Sequence, residues 1–193
     1  MRWTERPPEL PLQPLSSLAD RAAGRIEPPS LVDAGPRVIV RGVVREAVLL
    51  HLQGSRTEQG GLLLGEVFVD DRTLSIADTR AVMITRSVPA LDFASSAISL
   101  RMESGVWERA RLALAPRELI VGWYHSHPGL GAFFSPTDRR TQAAFFPHPY
   151  SVGWVIDPMD GGEAFFMGRD ATEPGATWTL VLNDPGDPGA CAM

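Results

Sequence analysis

The sequence predicts an α/β (α+β) fold, a mixed β-sheet flanked by helices. Three observations lead there. The chain has 193 residues, 44% hydrophobic and 21% charged, which suits one ordinary globular domain with a real core. Apolar runs of strand length alternate with amphipathic segments in the order β-α-β-β-α-β-α-β-β-β, with no regular βαβ repeat and no internal repeat. The chain is also too short for a (β/α)₈ barrel, which takes ~250 residues.

Residues 1–36 carry Pro7, Pro8, Pro11, Pro14, Pro28, Pro29 and Pro36, and such a segment forms regular structure poorly. It reads as a flexible arm, or as a docking arm for a partner or second protomer with Trp3 and the leucines as anchors. A short helix over "LSSLADRAAG" would stop at Gly24. The folded domain is expected over 37–184, followed by a disordered tail at 185–193.

Within the domain, "RVIVRG" is rich in β-branched residues and reads as a strand. "VVREAVLLHLQGS" places Val44, Ala47, Val48 and Leu52 at helical spacing before Gly54. "GGLLLGEVFVD" and "LSIADTRAVMI" are strand-length runs separated by the turn "DDR". "VPALDFASSAISL" is irregular, and "ESGVWERARLALA" is an amphipathic helix stopped by Pro116. "ELIVGWYHSH" is a buried strand. The loop "PGLGAFF" follows, then the helix "TDRRTQAAFF" stopped by Pro147. "YSVGWVID" and "EAFFMGRD" are strands joined by the turn "PMDGG", and "TWTLVLN" is the last strand.

Net charge is −5 and the pI is near 5.4, which argues against a nucleic-acid or anionic-membrane binder. The single cysteine, Cys191, cannot form an internal disulfide and fits a reducing cytosol. The start "MRWTERPPELPLQ" has no signal-peptide core, and no run approaches the ~20 apolar residues of a membrane span. A cytoplasmic location is expected.

The stretch "VGWYHSHPGLGAFFSPTDRRTQ" holds two of the four histidines. Residues two apart on a strand share a face, so His125 and His127 project together, with Cα atoms roughly 6.5 Å apart. Imidazoles at that spacing can converge on one cation at ~2.0–2.1 Å from each nitrogen. "SPTD" has a helix-start pattern, with Ser135 three residues before Asp138 and Pro136 between them. Both polar residues can simply cap a helix. Alternatively, Asp138 supplies a third ligand and Ser135 faces a reacting carbonyl. Two histidines and one carboxylate leave a fourth position open, as in a catalytic zinc site. Such a hydrolase also needs a base. Glu58, just before "QGGLLLG", is one candidate among many carboxylates, and it also reads as a solvated residue after a helix.

"GWYHSHPGLGAFFSPTD" resembles the JAMM motif of the MPN+ metalloproteases, HxHPxxxxxxSxxD behind a GWYHSHP-type strand. "EQGGLLLG" resembles that family's upstream glutamate segment and "VGWVIDP" its VxVVDP strand. The similarity covers roughly Val38 to Arg169, in the family's order. It implies a cytidine-deaminase-like sandwich and one catalytic zinc ion held by His125, His127 and Asp138. Glu58 would be general base and then acid, and Ser135 would donate to the oxyanion. The implied reaction is cleavage after the C-terminal glycine of a ubiquitin-like protein. No motif residue departs from the pattern, which counts against the inactive MPN− branch.

The irregular 88–99 segment stands where the family's first insertion holds the modifier's tail, so Val88, Pro89, Leu91 and Phe93 are expected at the substrate. Trp123 joins them because it lies just before the ligands, although the other tryptophans of the periodic segments read as core. "IDPMDGGEAFF" leaves no room for the second insertion. Many Arg and no Lys resemble a high-GC bacterial chain. Bacterial members are found beside ubiquitin-like proteins and E1- and E2-like enzymes in antiviral defence systems, the partners expected here. Others resemble processors of sulfur-carrier proteins, and a non-catalytic scaffold is a third reading. His51 and His148 read as structural or surface residues, and Arg139 and Arg140 as solvated helix residues.

Overall fold

Alternating apolar residues along the central strands build two cores, one on each side of a single sheet. The computed structural model describes residues 10–21, 35–91, 104–174 and 180–182. The strands are β1 (Gln13–Pro14), β2 (Arg37–Arg41), β3 (Gly60–Val69), β4 (Thr79–Pro89), β5 (Leu119–Ser126), β6 (Val152–Ile156), β7 (Glu163–Met167) and β8 (Leu180–Leu182). The helices are α1 (Leu18–Arg21), α2 (Gly42–Leu52), α3 (Ser104–Ala113) and α4 (Pro136–Phe145). The sheet runs β7-β6-β5-β3-β4-β2-β8, with β1 on β3 off this path. β2–β4, β5–β6 and β2–β8 are parallel, while β3–β4, β3–β5 and β6–β7 are antiparallel. This is the mixed sheet the element order predicts.

β3 is buried along its whole length, and that explains its unbroken apolar run. Leu63 and Val67 face one core with Val44, Val48 and Leu52 of α2. Leu62 and Leu64 face the other with Val106 and Ala110 of α3. Ala47, expected on the buried stripe of α2, lies in solvent; the contact row is the i, i+4, i+8 series from Val44.

Within the arm, residues 10–21 are more structured than their prolines suggest. β5 pairs with β3 only as far as Gly65, and β1 pairs with Phe68 and Val69 beyond that point. Leu15 and Leu18 then pack on Ile39, Phe68, Ala81 and Met83. These leucines anchor the arm to its own sheet. Trp3 and the tail 185–193 lie outside the described residues.

Two element boundaries shift. The strand expected from Leu74 starts at Thr79, because Leu74 has φ 46° and Ser75 caps one turn of 3₁₀ helix over Ile76–Asp78. It then runs on to Pro89, so Val88 and Pro89 are strand residues paired with Leu62 and Gly61. α3 ends at Ala113, before Pro116. The Glu118 carboxylate accepts the Ala115 N–H (2.9 Å) and pairs with Arg86, which draws the chain into β5.

Candidate metal centre

β5 carries its apolar run between β3 and β6 and delivers His125 to the end of the sheet. His125 lies opposite Gly60 of β3 and Val155 of β6. A Cβ on Gly60 would stand 2.4 Å from the Tyr124 carbonyl oxygen, so only glycine allows this approach. His127 lies just past the end of β5, yet its N–H donates to the Ile156 carbonyl (2.9 Å) and extends the ladder. The two imidazoles meet with their Nε2 atoms 3.1 Å apart.

α4 brings the carboxylate. Ser135 Oγ accepts the Asp138 N–H (3.2 Å) and the Ser135 N–H donates to Asp138 Oδ2 (2.7 Å), a capping box. The same geometry sets Asp138 Oδ1 3.3 Å from His125 Nε2 and Oδ2 3.5 Å from His127 Nε2. Capping and clustering are thus one arrangement, because the cap aims the carboxylate. One potential ligand atom from each residue lies within 4.8 Å of the others, and all three residues are buried.

The donors fit zinc. Two imidazole nitrogens and a carboxylate oxygen are the mixed set of a catalytic site. The two Nε2 atoms, 3.1 Å apart, and the Asp138 carboxylate oxygens at 3.3 and 3.5 Å face one another, as donors to one ion would. Burial holds His125 below the ordinary imidazole range, against the pull of Asp138. Burial alone would raise the Asp138 carboxyl, but hydrogen bonds and charge from the histidines, with the Ser135 cap, hold it well below the carboxylate range. A neutral imidazole and an ionised carboxylate are the forms that ligate metal. His127 is raised: burial opposes its charge, and Asp138 and Glu58 outweigh that.

Trp123, Gln142 and Asp157 support this cluster. Trp123 is 0% exposed and lies against His125. Its indole stacks on His125 with centroids 4.4 Å apart and planes 8° apart. Its Nε1–H donates to Gln142 Oε1 (2.7 Å), and Gln142 in turn donates to the Gly168 carbonyl (3.1 Å). On the other side, the buried Asp157 accepts N–H groups from Gly129 (2.9 Å), Gly131 (2.7 Å) and Met159 (2.8 Å). These bonds, Gly129's foremost, hold its carboxyl below the usual range. They also tie down the loop that leaves His127.

Glu58 sits just before β3, with Oε1 3.9 Å from His127 Nε2 and its side chain 36% exposed. It is the open flank of the cluster. Ala90 N–H donates to the Gly60 carbonyl (2.9 Å), so the end of β4 shares that flank, and Leu91 there is 72% exposed. Phe93 lies outside the described residues. His51 bonds the Tyr124 hydroxyl through Nδ1 (2.9 Å) and His148 stacks on Tyr150. Arg139 donates to the Ala171 carbonyl (3.0 Å), while Arg140 donates to the Thr137 hydroxyl (2.8 Å). No helix among the described residues is long and apolar enough to cross a membrane.

Comparison with known proteins identifies the family. The profile of prokaryotic homologs of the JAB domain matches residues 41–167. The 26S proteasome regulatory subunit rpn11 of Schizosaccharomyces pombe is 32% identical over 154 residues, 77% of this chain and 47% of that protein. The ubiquitin carboxyl-terminal hydrolase RPN11 of Saccharomyces cerevisiae is 33% identical over 129 residues, 66% of this chain and 40% of that protein. The chain therefore spans less than half the length of these curated relatives. The solution structure of a Desulfitobacterium hafniense protein superposes with TM-score 0.50 at 21% identity, covering 76% of this chain and 92% of that one, a likeness of fold.

Proposed function

From the premise that this chain belongs to the JAMM/MPN family, through its prokaryotic JAB branch, we propose that it is a zinc-dependent isopeptidase. It cuts after the C-terminal glycine of a ubiquitin-like protein, releasing conjugates, trimming precursors, or both. The observation that carries this reading is the convergence of His125, His127 and Asp138 with Glu58 at their open flank. The name of the budding-yeast relative supports the substrate class.

His125, His127 and Asp138 would hold the zinc. When bound, the ion would supply Lewis acidity and the acidification of water that amide hydrolysis needs at neutral pH. Glu58 keeps one side open to solvent, so it can take a proton from the attacking water and hand it to the departing amine. Ser135 Oγ already accepts the Asp138 N–H. Its own hydroxyl proton remains available to the carbonyl oxygen as negative charge builds there. The end of β4, from Val88 and Pro89 to the exposed Leu91, together with Phe93, would line the path of the extended tail.

The finer reading places the protein in the cytoplasm, in a bacterial conjugation system with E1- and E2-like partners, where it acts in antiviral defence. The residue 157–162 connection between β6 and β7 is a short turn, which suits an enzyme that reads the modifier's tail more than the linkage of a chain.

The test is cleavage of a ubiquitin-like protein fused through its terminal glycine, beside a sulfur-carrier fusion. Zinc-loaded protein should cleave the first, stop on chelation and recover on zinc readdition. Glu58→Gln should lose turnover by about 100-fold or more while keeping its metal. Cleavage of the sulfur-carrier fusion alone would move the assignment to cofactor or cysteine biosynthesis. Cleavage of neither would leave a scaffold.

A further inference from the structure

We infer that Ser126, the residue between the two histidines, is a positioning residue that sets Glu58 over the metal centre. The inference rests on the reading of Glu58 as the base.

Ser126 is fully buried, and by strand alternation its side chain leaves the sheet on the side away from the imidazoles. An apolar or small residue would satisfy that position. Ser126 instead grips both backbone groups of one residue on the neighbouring segment. Its N–H donates to the Gln59 carbonyl (2.8 Å), and its Oγ accepts the Gln59 N–H (3.0 Å).

This differs from an ordinary ladder. In a hydrogen-bonded antiparallel pair, each residue's N–H goes to the other's carbonyl. Here the return bond ends on the hydroxyl, and Gln59 leaves the ladder at this point: β3 begins only at Gly60. Glu58 is the next residue out. Among the described contacts its carboxylate has only the 3.9 Å approach to His127, so its place depends on how the backbone beside it is held. Without the hydroxyl, the partly buried Gln59 N–H loses its acceptor, and the segment must shift to find water. The metal ligands have their own supports in Trp123, the α4 cap and Asp157, none of which passes through Ser126 Oγ.

Two readouts test this. One is hydrogen exchange of the Gln59 amide, which needs no substrate. The other is steady-state turnover of a fluorogenic C-terminal amide of ubiquitin by zinc-loaded wild type, Ser126→Ala, Ser126→Thr and Glu58→Gln. Ser126→Ala should speed exchange at Gln59 by about tenfold and leave the amides of Leu62–Leu64 unchanged. Its kcat should fall by about 10- to 100-fold, with KM within about twofold and zinc content intact. Ser126→Thr, which keeps the hydroxyl, should restore both readouts. If Ser126→Ala does not fold, Ser126→Cys, close in volume and a poor acceptor, is read the same way.

Unchanged protection at Gln59 overturns the inference whatever the turnover. So does zinc loss from Ser126→Ala, which would put Ser126 in the metal centre. A wild-type kcat in Ser126→Ala beside an inactive Glu58→Gln overturns the inference alone. A wild-type kcat in Glu58→Gln instead overturns the base assignment beneath it.

Discussion

Replacing Trp123 with phenylalanine separates metal support from plain packing. The indole N–H donates to Gln142 Oε1 at 2.7 Å, and both residues are fully buried. Phenylalanine cannot make that bond, and an orphaned buried acceptor costs about 1–3 kcal/mol. The smaller ring leaves a void beside Phe146 and Phe134, worth about 1–2 kcal/mol more. The expected loss is about 2–5 kcal/mol, large against a total stability of about 5–15 kcal/mol. His125 also keeps only a smaller ring beside it, no longer tethered to Gln142, and zinc affinity should fall about tenfold, as it does when a ligand's outer support is removed.

Trp154→Phe is the control. Trp154 is as deeply buried and stacks on Phe165, but its Nε1 has no hydrogen-bond partner among the described residues. It should cost only the packing part, about 1–2 kcal/mol, with zinc binding unchanged. Urea denaturation in chelator and zinc titration against a chromophoric competitor measure the two effects. Equal stability losses in the two variants, or wild-type zinc affinity in Trp123→Phe, would refute the reasoning.

Asp157→Asn keeps one acceptor oxygen where the carboxylate offers two, so at least one of the Gly129, Gly131 and Met159 N–H groups loses its partner. Exchange at residues 129–131 should speed up and turnover should fall, as mass spectrometry and the cleavage assay would record. Glu118 sets a pH dependence. Burial raises its carboxyl, but Arg86, Thr85 and the Ala115 N–H outweigh that and leave it depressed. A depressed carboxyl stabilises the fold above its unfolded pKa, about 4.3, and that stability is lost as pH falls through the lower folded value. Glu118→Gln should therefore be less stable than wild type at neutral pH, with the gap closing in acid denaturation series below about pH 4.

The histidine pair and the helix cap were legible because short-range rules govern them. Strand alternation puts His125 and His127 on one face, and the Ser135–Asp138 spacing starts a helix. Neither rule says that the cap would aim Asp138 at the imidazoles, because that depends on how α4 docks against β5. The supports were hidden for the same reason. Gln142 is one polar residue of the helix "TDRRTQAAFF" and Asp157 the last residue of the strand "YSVGWVID", until tertiary contact gives each its buried partners. Trp123 is adjacent in sequence to the site, but sits two residues before His125 on the same strand face and so beneath it. The arm misled in the opposite way. Its prolines spoil long helix and central strand, yet a two-residue strand pairing followed by short helical turns that carry the leucine anchors needs neither.

The account stands on His125, His127 and Asp138 closing on one ion. Elemental analysis of freshly purified protein, beside Asp138→Ala, tests that most directly. The expected result is one zinc per wild-type chain and almost none in the variant. Wild-type protein without stoichiometric zinc after zinc loading, or a variant that keeps it, would contradict the account.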